Sequence, residues 1–301
     1  MPAGFPFVLN AAAGRLPIAD TAALAIYAAC KSAAATGEID WLAPGRAFDI
    51  AFSGDADAVR AAMRPAVRDD WLLDVNVVPA HNRRKRLLIA DMDSTIIGCE
   101  CVDELADMAG IKPKVAAITE RTMRGELDFA SALRQRVALL KGLPLHAVAR
   151  VYAERIRLNP GARAVTATMR AHGVHTLLIS GGFTYFTSRV AADAGFEEHQ
   201  GNELLDDGHA LTGKVGEPIL GREAKLNALQ SAVARYALSS ADAIAVGDGA
   251  NDLEMIRHAG LGVAYHAKPV VAAAAGASIA HGDLTTLLYL QGYRAGEIVQ
   301  R

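Results

Sequence analysis

From Arg86 onward, short apolar runs alternate with helical stretches, and each run stops at a small or polar residue. RLLIADMD, VHTLLISGG, AIAVGDG, LGVAYHA and ASIAHG are the strand candidates. Strands buried on both faces read as continuous apolar runs of this kind, and helices between them impose parallel pairing. In an open α/β sheet, ligands bind outside the carboxyl ends of the strands. The first three candidates end at Asp91, Ser180 and Asp248, so three polar groups are expected to converge on one crevice.

The first of those ends poses a physical problem. Leu87 to Ala90 are apolar and run straight into Asp91 and Asp93, set two apart. If the strand continued, both side chains would point the same way. Two unit charges about 4 Å apart repel by roughly 4 kcal/mol at an effective dielectric near 20. Such a pair persists where a cation or a reaction uses it. A carboxylate can attack phosphorus to give an aspartyl-phosphate, and a second one can protonate a leaving oxygen and then activate water. Asp248, in GDGAND, adds a hard oxygen ligand of the sort that Mg²⁺ selects.

Other residues fit the same chemistry. Ser180, with the N–H groups of Gly181 and Gly182 at a helix start, suits a phosphate oxygen. Lys225 in GREAKLNAL offers a point charge for the transferring group. Asn251 and Asp252 are placed to orient substrate and support a metal shell. Singly, each has an ordinary explanation: D-x-D is common in loops, Ser180-Gly181-Gly182 can be a tight turn, and Lys225 a solvated helix residue. Four features in one order at consecutive strand ends are a different matter.

Together, DMDST, SGG, the lysine and GDGAND resemble the haloacid dehalogenase (HAD) superfamily of aspartate-nucleophile phosphotransferases. From Arg86 to Gly292 the chain is more closely similar to its phosphoserine phosphatase family, through GCECVDELA, ITERTMRGELDF and SALRQRVALLKGLP. The resemblance implies a HAD-like Rossmannoid parallel sheet, with Asp91 as nucleophile and Asp93 as general acid/base. It places Mg²⁺ on the Asp91 carboxylate, the Asp93 backbone carbonyl and the Asp248 carboxylate. It assigns Ser180, Gly181, Lys225 and Asn251 to the phosphoryl group or its surroundings. Glu100 and Arg136 match its cap-side pair, and a zwitterionic amino acid does need one anion and one bidentate cation. Arg136 alone reads as well as a snorkelling surface residue; Met123 and Phe129 read as pocket lining or as core.

The implied reaction is Mg²⁺-dependent hydrolysis of O-phospho-L-serine, the last step of serine biosynthesis, with a small phosphorylated amino acid as the partner molecule. Two rivals stand beside it. One is a phosphotransferase of the same superfamily acting on another small phosphomonoester. The other is a catalytically silent amino-acid-binding regulator.

Between the first two core strands, residues from about 98 to 160 are too many for an ordinary connection and read as helices. A helical cap at the mouth of the crevice is positioned to act as a lid. NELLDDGHALTGKV reads as a hairpin turning at Asp207-Gly208. Residues 1–82 read as a small α+β unit of order βαββαβ, ferredoxin-like and similar to ACT domains, suited to sensing an amino acid or to dimerisation, so a homodimer is possible. Pro65 is expected to kink or interrupt its second helix. HNRRKR is expected as a solvated linker into the catalytic domain, residues 83–301.

Composition excludes several alternatives. Hydrophobic residues make up 51% of the 301, enough for a large core, and the formal charge of −2 gives no reason to expect nucleic acid or an acidic membrane. Three cysteines are too few for a disulfide framework. Neither a secretion signal nor a spanning helix is apparent, so a soluble cytoplasmic protein is expected. His172, His175, Cys99 and Cys101 lack the partner clusters that a metal site needs.

Overall fold

The computed structural model describes residues 5–124 and 126–300; the side chains of Met123 and Arg222 lie outside the described residues. The N-terminal unit consists of β1 (Phe7–Ala13), α1 (Asp20–Ala33), β2 (Ala35–Ala43), β3 (Ala47–Ser53), α2 (Ala56–Ala66) and β4 (Leu73–Pro79). Its four strands pair antiparallel in the order β2-β3-β1-β4, the split βαβ arrangement. Alternation sorts the strand residues. Leu9, Phe48, Ile50 and Phe52 meet Ile26, Cys30, Val59 and Met63 of the two helices, while Val8 and Val78 join the core of the larger unit. Asp55 caps α2 by accepting the N–H of Asp57 at 2.9 Å. Pro65 does not interrupt that helix as expected: it sits one residue before the end, so the helix forgoes only the bond to Ala61 O and stops within a residue.

The larger unit starts with β5 (Leu87–Asp91) and then makes a long helical excursion: α3 (Cys101–Met108), α4 (Lys112–Met123), α5 (Phe129–Ala138) and α6 (Leu145–Arg155). Chain entry and exit pair with each other at Ile97 and Leu158, giving the cap a two-stranded stem. There follow α7 (Ala162–Ala171), β6 (His175–Phe183), α8 (Thr184–Ala194), β7 (Glu198–Asn202), a hairpin of β8 (Leu204–Asp206) and β9 (Leu211–Val215), and α9 (Arg222–Arg235). The chain closes with β10 (Ala243–Gly247), α10 (Leu253–His258), β11 (Leu261–Tyr265), α11 (Pro269–Ala272), β12 (Ala277–Ile279) and α12 (Thr286–Leu290). The six long-sheet strands are parallel in the order β12-β11-β10-β5-β6-β7, and β5 to Asp91 is fully buried.

This sheet has one strand more than the apolar runs predict. Glu198–Asn202 reads EHQGN; as an edge strand, half open to solvent, it needs no apolar run. The hairpin forms as expected and packs against the cap, with Gly142 N donating to Leu211 O at 2.8 Å. No helix among the described residues is long and apolar enough to cross a membrane.

HNRRKR is not a solvated linker. Arg83 and Lys85 are buried, and Arg83 makes a two-pronged ion pair with Asp49 of β3 at 2.5 and 2.9 Å. Its Nε donates to Leu290 O at 2.7 Å. Asp74 of β4 reinforces the joint by accepting the N–H groups of Ala280, His281 and Gly282 at 2.8, 3.1 and 2.7 Å. The basic run therefore clamps the two units together, because a buried guanidinium needs a carboxylate and finds one across the boundary.

Candidate active site

The carboxyl ends of β5, β6 and β10 meet under the cap. Asp91, buried at the end of β5, accepts the N–H of Met92 at 2.8 Å and the ammonium of Lys225 at 2.7 Å. Lys225, the fourth residue of α9, reaches Asp252 as well, at 2.5 Å. All three residues are at most 5% exposed. Burial, followed by the charge of Asp252, raises the Asp91 carboxyl well above the usual range. Burial alone would lower the Lys225 ammonium, but Asp252 and Asp91 raise it on balance. Asp252 anchors the lysine: one of its oxygens takes Lys225 and the other accepts Gly249 N at 3.0 Å.

After Asp91 the chain turns sharply, and Ser94 adopts φ +55°. Asp93 leaves the strand and faces the cleft from the side. Its Oδ1 accepts the N–H of Cys101 at the start of α3, and its Oδ2 accepts the Ser180 hydroxyl, both at 2.8 Å. Ser180 Oγ in turn accepts Gly182 N at 2.8 Å. The two glycines allow close approach: a Cβ on Gly181 would stand 2.9 Å from the ring of Phe129, and one on Gly182 would stand 2.9 Å from Asp93 Oδ2. Of the two aspartates, only Asp91 stays in line with the strand, so their carboxylates are not forced side by side.

Asp248 follows β10, and Thr95 donates to it at 3.0 Å. Burial, with Asp252 adding to it, raises its carboxyl. One oxygen each of Asp91, Asp248 and Asp252 lie within 4.8 Å of one another. Lys225 reaches both Asp91 and Asp252, so this cluster offers a cation hard carboxylate oxygens with a single ammonium beside them.

The cap supplies the opposite wall of a cleft of about 130 Å³. Phe129, Leu133 and Arg136 come from one face of α5, and Glu100 and Val102 from the start of α3. Arg136 is mostly withdrawn from water, which lowers its pKa against the raising effects of Asp103, Glu100 and Asp93. Its Nε is buried with no hydrogen-bond partner among the described residues. Glu100 accepts the Ser94 hydroxyl at 2.7 Å. Although Glu100 lies at the rim, the cleft walls desolvate its carboxyl and Asp93 stands near, so its pKa is pushed up to about 7. Asn251 lines the same cleft. Asp91, Asp93, Glu100, Phe129, Arg136, Ser180, Gly181, Lys225, Asp248 and Asn251 meet here, while the side chain of Met123 lies outside the described residues; Val102 and Leu133, lining side chains without any polar signal, were not legible.

The haloacid dehalogenase-like hydrolase family matches residues 88–257, which include the carboxyl ends of β5, β6 and β10. The chain belongs to this family. Within this hydrolase family, a phosphoserine phosphatase of Polaromonas sp. is 48% identical over 210 residues, covering 68% of this chain and 89% of that one. Among solved structures, a probable phosphoserine phosphatase from Vibrio cholerae superposes with a TM-score of 0.78 at 30% identity, covering 97% of this chain and 88% of the other. A phospho-aspartyl intermediate analogue of phosphoserine phosphatase gives 0.63 at 35% identity, covering 68% and 98%.

Proposed function

We propose that this phosphoric monoester hydrolase acts on O-phospho-L-serine, and that residues 83–301 carry the reaction while residues 1–82 form a docked accessory domain. One observation carries the substrate assignment. A single cleft presents phosphoryl-binding groups on its floor and, on its cap wall, a carboxylate beside an arginine whose Nε is buried without a partner. A buried unpartnered donor costs about 1–3 kcal/mol, a cost relieved when a carboxylate fills the space in front of it. Glu100 suits the ammonium and Arg136 the carboxylate of one small amino acid, leaving the phosphate to Ser180, Gly181, Lys225 and Asn251. The relatives named above support this substrate.

The donor set fits magnesium: hard oxygens of Asp91 and Asp248, with the backbone carbonyl of Asp93, suit Mg²⁺ better than any softer ion. When bound, the ion neutralises the carboxylates and polarises a phosphate oxygen. The chain's own groups do the rest. Asp91 attacks phosphorus as the bond to the seryl oxygen breaks, and Asp93 delivers a proton to that oxygen. Serine leaves, Asp93 takes a proton from water, and the resulting hydroxide displaces Asp91 from phosphorus. Lys225 opposes the burial that raises the Asp91 carboxyl and aims it. Ser180 turns its hydroxyl from Asp93 to the phosphoryl group, which frees Asp93 Oδ2 to carry the proton. The cap excludes bulk water during the first step.

Phosphate release from a panel of phosphorylated amino acids, sugars and phosphoethanolamine, in the presence of Mg²⁺, tests the reading. Phosphoserine should give the highest kcat/KM. Release from none of them would leave the silent regulator in its place, and transfer of the phosphoryl group to an added amino alcohol would favour the phosphotransferase.

A further inference from the structure

We infer that Asn202, at the end of the edge strand β7, is a positioning residue that fixes the distance between the phosphoryl-binding turn and Lys225. The inference rests on the proposed phosphatase reading and extends it to a side chain that lines no part of the cleft.

β6 and β7 pair at Ile179 with Gln200, and next at Phe183 with Asn202. Four residues on one strand are thus matched by two on the other, so Ser180, Gly181 and Gly182 bulge out of the ladder toward the cleft. A bulged carbonyl in a buried setting needs another donor. Gly181 O finds it in the side chain of Asn202, whose Nδ2 donates at 2.8 Å. The same Nδ2 donates to Leu220 O at 3.2 Å, and Oδ1 accepts Leu220 N at 2.7 Å. Asn202 is only 2% exposed, so water does not compete for these bonds.

Leu220 is the residue before Gly221, which caps α9, and Lys225 is the fourth residue of that helix. One planar amide therefore holds two otherwise separate main-chain segments: the turn that presents Ser180 and Gly181, and the lead into the helix that presents Lys225. Its two N–H groups and its carbonyl are all used. Since a phosphoryl group must touch both segments, misplacement of either by an ångström is felt in the rate. Phe129 packs on Gly181 and also approaches Gly221, so the cap rests on the same joint.

Asn202→Asp is the sharp test, because it keeps the shape and the bond to Leu220 N while replacing both donors by an oxygen facing two carbonyls. In the full-length protein with Mg²⁺, kcat for phosphoserine should fall at least tenfold. Inhibition by inorganic phosphate should weaken by a similar factor, while inhibition by free serine, held by the cap wall, stays within twofold of wild type. A folded Asn202→Asp protein with unchanged kcat and phosphate inhibition would overturn the inference. So would equal weakening of phosphate and serine, which marks general loosening. Asn202→Ala, which loses the bonds without adding charge, is read by the same criteria if the aspartate variant does not fold. Wild-type protein inactive on phosphoserine would instead refute the underlying reading and not the positioning role alone.

Discussion

Ser180 Oγ donates to Asp93 Oδ2 at 2.8 Å, joining the residue that meets the phosphoryl group to the residue that moves the proton. The bond holds Asp93 off the line of Asp91 and keeps the hydroxyl beside the site where a phosphate oxygen arrives. Ser180→Ala removes both services without touching the nucleophile. Inhibition by inorganic phosphate should weaken about tenfold, the worth of one hydrogen bond to a charged group, with kcat reduced as well. Steady-state kinetics check this, and unchanged phosphate inhibition would contradict it.

Arg136 is expected to act on the carboxylate alone. Arg136→Ala should raise KM for phosphoserine by about 30- to 100-fold, the worth of roughly 2–3 kcal/mol for a charge-assisted pair. For phosphoethanolamine, which has no carboxylate, the change should stay within threefold. Equal losses on both substrates would remove Arg136 from the carboxylate position.

Glu100 gives the pH dependence its sign. Desolvation and the neighbouring Asp93 raise its carboxyl to about 7, and only the ionised form attracts the substrate ammonium. Binding is therefore strong above that pH and lost as pH falls through it. Between pH 8 and pH 6, KM should rise by about tenfold. Glu100→Gln should bind weakly at both values and show a flatter profile, the remainder belonging to the phosphate itself. A mutant profile as steep as that of wild type would move the titration to another group.

The joint between the two units is expected to bear on stability. Arg83→Leu leaves Asp49 as a buried carboxylate without its cation, which should cost about 3–5 kcal/mol in urea unfolding. A loss below about 1 kcal/mol would mean that the clamp contributes little beyond its packing.

The sequence made the parallel sheet, the cap and the hairpin legible because each rests on hydrophobic period and turn chemistry, which are local. It made the cleft legible because Asp91, Ser180 and Asp248 sit where strands stop. What escaped depends on partners distant along the chain. Arg83 looks like any basic linker residue until β3 brings Asp49 against it. Asp252 reads as support for a metal shell, but that it anchors Lys225 shows only when α9 brings the lysine to its oxygen. β7 carries no apolar run, so neither the strand nor the role of Asn202 at its end leaves a mark in the local pattern.

The central claim is that phosphorus becomes bonded to Asp91 during turnover. Acid-quenching the enzyme within the first turnover on phosphoserine, reducing with borohydride and sequencing the peptides by mass spectrometry tests it directly. The acyl phosphate at Asp91 should be reduced to homoserine, converting that aspartate and no other. Conversion at a different residue, or none while phosphate is being released, would contradict the account.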